Sequence, residues 1–340
     1  VNGARERRST NAKYHQPLKR GNTAPHRTAP HPTILIPQDW VRGSTLMTET
    51  TFSPFDLGNQ DDYLRWRDEK LAHYPCSLAD LIVEVEDPRR LSSGEHDAIL
   101  DRCRRANMAV YACKLGDDPD KEMVRAMGEQ LGLTRLDHNR GADDDAITSL
   151  KVQADALHRS YIPYSNRPIA WHTDGYYNDP GHQIHGLLLH CVQPAQTGGE
   201  NELLDHEVAY ILVRDESADY IRALMHPEAM TIPASQAEGA ELHPDRPGPV
   251  FSVNADGHLH MRYTDRKRNV RWRDDPLTTE AVGFLRSVLY GNSQLHFQGR
   301  LESGWGLISN NVLHTRSGFE DGERPRLLYR ARYYDRIRDT

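Results

Sequence analysis

WHTDGYYN, residues Trp171–Asn178, sets a histidine and an aspartate two positions apart among aromatic residues. In an extended strand residues i and i+2 project from one face, so His172 and Asp174 would present an imidazole and a carboxylate side by side. A redox-active ferrous site that keeps three neighbouring positions open needs one more imidazole. His314 in SNNVLHTRSGF is the best candidate, 140 residues beyond Asp174, a separation that a rolled sheet can close. Two plainer explanations stand beside this one. The chain holds 18 histidines, so an HxD pair can arise by chance. His258 and His260 also share a strand face and with His190 would make a His-only zinc site, unless the histidines of HLHMRYTD simply face solvent.

The stretch after His314 separates these readings. In GFEDGERPRLLYRARYYD, Arg326 and Arg330 have the same parity on a strand, so both guanidiniums face one side. Arginine offers a two-pronged fork for a carboxylate. An inward arginine beside a metal is what an enzyme needs if its cosubstrate is a dicarboxylate that chelates iron at one end. Taken alone, RPRLLYRARYYD also reads as a surface strand with basic outer positions.

Around these motifs the texture beyond residue 160 is that of short strands cut by Gly, Pro and Asn: HGLLLHCVQ, PVFSVNADG, HLHMRYTD, GWGLISNNVLH and RLLYRARYYD. Such regular short strands predict a closed or double-sheet β architecture. Two helical insertions interrupt it, DHEVAYILVRDESADYIRALM and TTEAVGFLRSVLYG. Upstream, helix and strand alternate. DDYLRWRDEKLAHY has helical spacing, LADLIVEVED reads as a strand, and SSGEHDAILDRCRRAN is a helix capped by Ser92 or Ser93 with Glu95 near the third position. MAVYACK follows as a buried strand, then PDKEMVRAMGEQLG as a helix with Pro119 in its first turn and Gly132 at its end.

With WHTDGYYN, PAQTGGENELLD, NNVLHTRSGFED and RPRLLYRARY in that order, residues 160–335 resemble the taurine dioxygenase-like (TauD/TfdA) family of Fe(II)/2-oxoglutarate-dependent oxygenases. The resemblance implies a mainly β fold with helical additions, a double-stranded β-helix or jelly roll. It implies His172, Asp174 and His314 as iron ligands, with 2-oxoglutarate and O2 as cosubstrates, and Arg326 on the distal carboxylate of 2-oxoglutarate. A threonine that often helps hold that cosubstrate is replaced here by Asn201, whose amide can still donate a hydrogen bond. Arg330 matches a position that in some members holds an anionic group of the substrate. Asp174 retains the carboxylate that halogenating relatives lack, so hydroxylation of an unactivated C–H bond, with release of succinate and CO2, is expected. Tyr161, Tyr164, Trp171, Tyr176 and Tyr177 lie near the metal in sequence, where aromatics cage a cation, flank an apolar substrate or simply pack. Tyr176 is the aromatic expected at the substrate.

Composition bounds the remainder. At 340 residues the chain can bury a core that needs no disulfide. A net charge of -7 argues against a nucleic-acid partner. Four cysteines without a CxxC pair fit reduced core thiols in a cytoplasmic protein. No apolar run reaches membrane-spanning length, and no secretory segment is evident. Residues 1–46, rich in Arg, Pro, Thr, Asn and His, read as a disordered extension, with Met47 marking the start of a single catalytic domain over 47–340. ELHPDRPGPV reads as a surface loop able to cover a site. The partner expected is a small-molecule substrate; the resemblance also allows a homo-oligomer, which one measured solution mass would settle. Three functions stay open: the oxygenase, a zinc- or manganese-dependent hydrolase on a related barrel, and a noncatalytic metal-binding sensor.

Overall fold

Period-two alternation in one strand organises the molecule. In Gly186–Gln193, Leu187, Leu189 and Cys191 enter one hydrophobic cluster while Leu188 and Val192 enter another. A slip of one residue would exchange the two sets, which is why such a strand has a fixed register. Around it the computed structural model, which describes residues 53–138, 143–153, 162–237, 240–266, 270–291 and 293–340, builds a six-stranded sheet. Its order is Ile82–Val85, Met108–Cys113, Trp305–Ser309, Gly186–Gln193, Leu327–Tyr333 and Thr148–Leu150. The first pair is parallel and the rest antiparallel. The expected extension at 1–46 and Tyr161 lie outside the described residues.

One face of this sheet is covered by the helices Ser93–Ala106 and Glu122–Gln130. Ile99, Leu100, Cys103, Val124 and Met127 pack there against Tyr111, Leu188, Ile308 and Tyr333. The first helix begins as its sequence dictates: Ser92 Oγ accepts from Glu95 N–H, and the Glu95 carboxylate accepts from Ser92 N–H. Pro119 falls three residues short of the second helix, and Gly132 follows its end with φ +79°. The other face meets a four-stranded antiparallel sheet in the order Phe297–Gly299, Asn201–Leu204, Leu313–Arg316 and Ile169–His172. Leu189, Leu307 and Leu328 from the larger sheet and Trp171, Leu203, Leu313 and Phe297 from the smaller share one cluster. The helices His206–Glu216, Ala218–Leu224 and Pro276–Tyr290 complete that cluster with Val208, Ile221 and Leu285.

Three readings of the sequence need correction. GWGLISNNVLH is two strands, not one. Asn311 turns with φ +55°, a left-handed conformation that Asn tolerates, and carries the chain from the larger sheet to the smaller. The first insertion is likewise two helices, broken at Ser217, which caps the second by accepting from Asp219 N–H. ELHPDRPGPV is not a bare loop, because Ala240–His243 pairs with Ser235–Ala237 and Arg246–Gly248 with Met230–Ile232. Cys103, Cys113 and Cys191 are buried as expected, whereas Cys76 is exposed. No helix among the described residues is long and apolar enough to cross a membrane.

Candidate metal centre

His172 ends its strand, and its Cα partner in the antiparallel register is His314. Directly opposed residues have adjacent side chains, and the two imidazole centroids lie 4.2 Å apart. Asp174 sits beyond the strand end, not within it. The chain turns there through Gly175 at φ +69°, where a Cβ would meet Ile184 Cγ1 at 2.4 Å. The peptide of Asp174 is clamped by Asn311, whose Oδ1 accepts from Asp174 N–H at 2.8 Å and whose Nδ2 donates to the carbonyls of Asp174 at 3.0 Å and Ile184 at 2.7 Å. The NN turn thus delivers His314 to the smaller sheet and fixes the opposing aspartate.

The donor set fits a metal ion. One ligand atom from each of His172, Asp174 and His314 lies within 4.8 Å of the others. His172 Nδ1 is 3.0 Å from Ala170 O and His314 Nδ1 is 3.0 Å from Val312 O. A carbonyl only accepts, so each ring carries its proton on Nδ1 and turns the Nε2 lone pair inward. His314 Nε2 is 3.6 Å from Asp174 Oδ2, a buried oxygen without a hydrogen-bond donor among the described residues. Burial, followed by the neighbouring His314, pulls His172 down to about 3, which keeps that ring neutral and able to donate its lone pair. Burial pushes the Asp174 carboxyl up, but Arg330 and then Arg332 outweigh it and hold the group well below the usual carboxylate range.

The arginine strand is not a basic surface. Along Leu327–Tyr333 the side chains of Leu327, Tyr329, Ala331 and Tyr333 go out under the helices, while Leu328, Arg330 and Arg332 go in. Arg330 Nη1 lies 3.1 Å from Asp174 Oδ1, and its buried Nε has no hydrogen-bond partner among the described residues. Arg326, 5% exposed, lines a cleft with Ala195, Gly199, Asn201, Arg300 and Leu328. Its guanidinium lies 4.9 Å over the Phe319 ring and has no carboxylate or carbonyl partner among the described residues. Burial lowers its pKa, with Cys191 and Asp321 opposing. Asn201 Nδ2 donates to Thr315 O at 2.6 Å, tying this cleft to the His314 strand. The TGG turn closes it: Gly198 has φ +72°, and a Cβ there would lie 2.1 Å from Gly318 O.

The other sequence candidates separate. His190 lies on the helix-covered face, stacked on Tyr111 with its Nδ1 2.8 Å from the phenolic oxygen, whereas His260 packs against His185 at 4.8 Å. The His-only trio is therefore not assembled, and His260 is buried rather than facing solvent. Trp171, Tyr164 and Tyr176 are all buried in the core cluster, with Tyr177 partly buried against it; Tyr176 and Tyr177, edge to face at 5.2 Å, follow Asp174 in the chain. Reasoning from sequence missed Asn311, Arg332 and Asp137. The NN pair and the parity that Arg332 shares with Arg330 gave local signs, whereas Asp137 is joined to the site solely by the fold.

The profile of the family described as taurine catabolism dioxygenase TauD, TfdA family matches residues 97–332, more than half of the chain. A uridine-5'-phosphate dioxygenase of an Amycolatopsis species is 32% identical over 174 residues, spanning 48% of this chain and 60% of that protein. One from a Streptomyces species is 29% identical over 204 residues, spanning 56% and 70%. Among solved structures, the non-heme iron oxygenase OrfP in complex with Fe superposes with a TM-score of 0.51 at 17% identity, over 79% of this chain and 89% of that one, a likeness of fold. The chain therefore belongs to the TauD, TfdA family of Fe(II)/2-oxoglutarate-dependent oxygenases.

Proposed function

We propose that this chain hydroxylates an unactivated C–H bond of a small anionic organic substrate in a reaction that consumes 2-oxoglutarate and O2. In this reading residues 47–340 are a single catalytic domain, and the two facing sheets are the halves of a double-stranded β-helix, or jelly roll. The observation that carries it is the pair of inward Nε2 lone pairs beside the unpartnered Asp174 Oδ2. His172, Asp174 and His314 would hold ferrous iron, which with 2-oxoglutarate supplies the oxidising chemistry and yields succinate and CO2.

The chain's own residues bind and orient. Arg326 meets the far carboxylate of 2-oxoglutarate with its unoccupied fork, and Asn201 borders the same cleft. Arg330, with one prong on Asp174 and an Nε that has no partner among the described residues, can turn toward an anionic substrate group, and Tyr176, two residues beyond Asp174, would border that group. The two relatives named for uridine 5'-phosphate make that nucleotide the first substrate to test. A hydrolase or sensor reading uses the three ligands but gives the Arg326 cleft no task.

The test is anaerobic titration of the protein with ferrous iron and then 2-oxoglutarate, following the visible charge-transfer absorption of the chelate. The band should appear, and should vanish in Asp174→Ala and His314→Ala. Metal binding without a band would favour the hydrolase or the sensor. Oxygen consumption on addition of uridine 5'-phosphate would assign the substrate.

A further inference from the structure

We infer that Arg332 is a positioning residue that restricts Asp174 to one-oxygen coordination of the proposed metal. This rests on the metal reading above and goes beyond its three ligands. The two Asp174 oxygens have different surroundings. Oδ1 faces Arg330 Nη1 at 3.1 Å and Arg332 Nη1 at 3.6 Å, while Oδ2 has no hydrogen-bond donor among the described residues and lies 3.6 Å from His314 Nε2. A carboxylate held this way offers Oδ2 alone. A metal held by two imidazoles and one carboxylate oxygen would keep more of its positions for other ligands than one held by both oxygens.

Arg332 is the permanent half of this clamp. It is 1% exposed, and it is held at both prongs. Nη1 donates to the Tyr177 phenolic oxygen at 2.6 Å, and Nη2 pairs with the Asp137 carboxylate. Asp137 is anchored in turn, because the Tyr334 hydroxyl donates to its Oδ1 at 2.7 Å and its own N–H donates to Arg332 O at 2.8 Å. Arg330 has no such second anchor among the described residues. When an anion draws Arg330 away, the fixed charge of Arg332, with Nη1 3.6 Å from Oδ1, still attracts that oxygen. Residues that hold a metal ligand in this manner change metal affinity without touching the ion.

The charges permit a clean test. Asp174, Asp137, Arg330 and Arg332 form a neutral quartet, so Asp137→Asn with Arg332→Gln removes one charge of each sign and leaves none buried unpaired. Co(II) serves as the probe, read by titration and by its visible d–d spectrum, with thermal melting as the fold control. The double variant should melt near the wild type, bind Co(II) about 10- to 100-fold more weakly, and show an altered d–d envelope. Arg332→Lys, which keeps the charge but has one prong, should fall between. Wild-type affinity and spectrum in the double variant would overturn the inference while leaving the metal reading intact. A wild-type protein that binds no Co(II) would overturn both. Should the double variant not fold, Arg332→Lys decides: a severalfold weaker Co(II) affinity supports the clamp, and an unchanged one refutes it.

Discussion

Replacing Arg326 by methionine should cost ligand binding and not stability. The guanidinium is 5% exposed and has the Phe319 ring face at 4.9 Å, but no hydrogen-bonding partner among the described residues. The nearby buried Arg316, which donates to the carbonyls of Pro163, Ser165 and Arg167, adds repulsion. In the ligand-free protein Arg326 is thus a desolvated cation with little compensation, a condition that costs free energy. Methionine keeps most of the volume and the contact with Phe319 while removing the charge, so the variant should be neutral to about 2 kcal/mol more stable. Two charge-assisted hydrogen bonds to a carboxylate, at about 1.5–3 kcal/mol each, together give about 3–6 kcal/mol. Their loss should weaken 2-oxoglutarate binding about 10²- to 10⁴-fold. Chemical denaturation gives the first quantity, and anaerobic 2-oxoglutarate titration of the iron-loaded protein gives the second. Destabilisation beyond about 1 kcal/mol would make Arg326 a structural residue. Unchanged 2-oxoglutarate affinity would end its assignment to that ligand.

Asn311→Gly keeps the left-handed turn but deletes three hydrogen bonds, so it should destabilise the fold by about 2–4 kcal/mol and weaken metal binding; retention of both in denaturation and metal titration would refute the clamp on Asp174. Acid should destabilise the protein through His185 and His260. Burial first, then Arg336, His206, Arg135 and His258, pull His185 down to about 4, and burial with His185, His206 and Arg262 pulls His260 down to about 3. Both folded values lie below the unfolded value of about 6.5, so the unfolded chain takes up protons first. The stability they contribute is complete above that value and is lost as pH falls toward 4, by up to about 1.4 kcal/mol per pH unit for each ring. Denaturation midpoints at pH 7.5 and 5.5 should differ, with His185→Gln reducing the difference; equal midpoints in the wild type would refute it.

What the sequence determined by itself is what local rules encode. Short apolar runs cut by Gly, Pro and Asn placed Gly186–Gln193 and Leu327–Tyr333 as strands, and parity put Arg326 and Arg330 on one side, where both are buried. Ser92 and Glu95 marked a helix start because the capping box is closed within four residues. HxD named two ligand candidates and the late histidine a third, but spacing could not choose His314 over His190, His258 or His260. That choice belongs to the tertiary structure. The Asn310–Asn311 turn moves the chain between sheets, and the antiparallel register then sets His314 against His172, while the same alternation sends His190 to the opposite face. The roles of the arginines were equally hidden. Arg326, Arg330 and Arg332 look alike along the strand, yet one lines an unpaired cleft, one makes a single contact with Asp174, and one is locked between Asp137 and Tyr177. Those partners lie more than 120 residues away in the chain. A side chain's parity is fixed by its own strand, but what it meets is fixed by which distant segments the two sheets bring together.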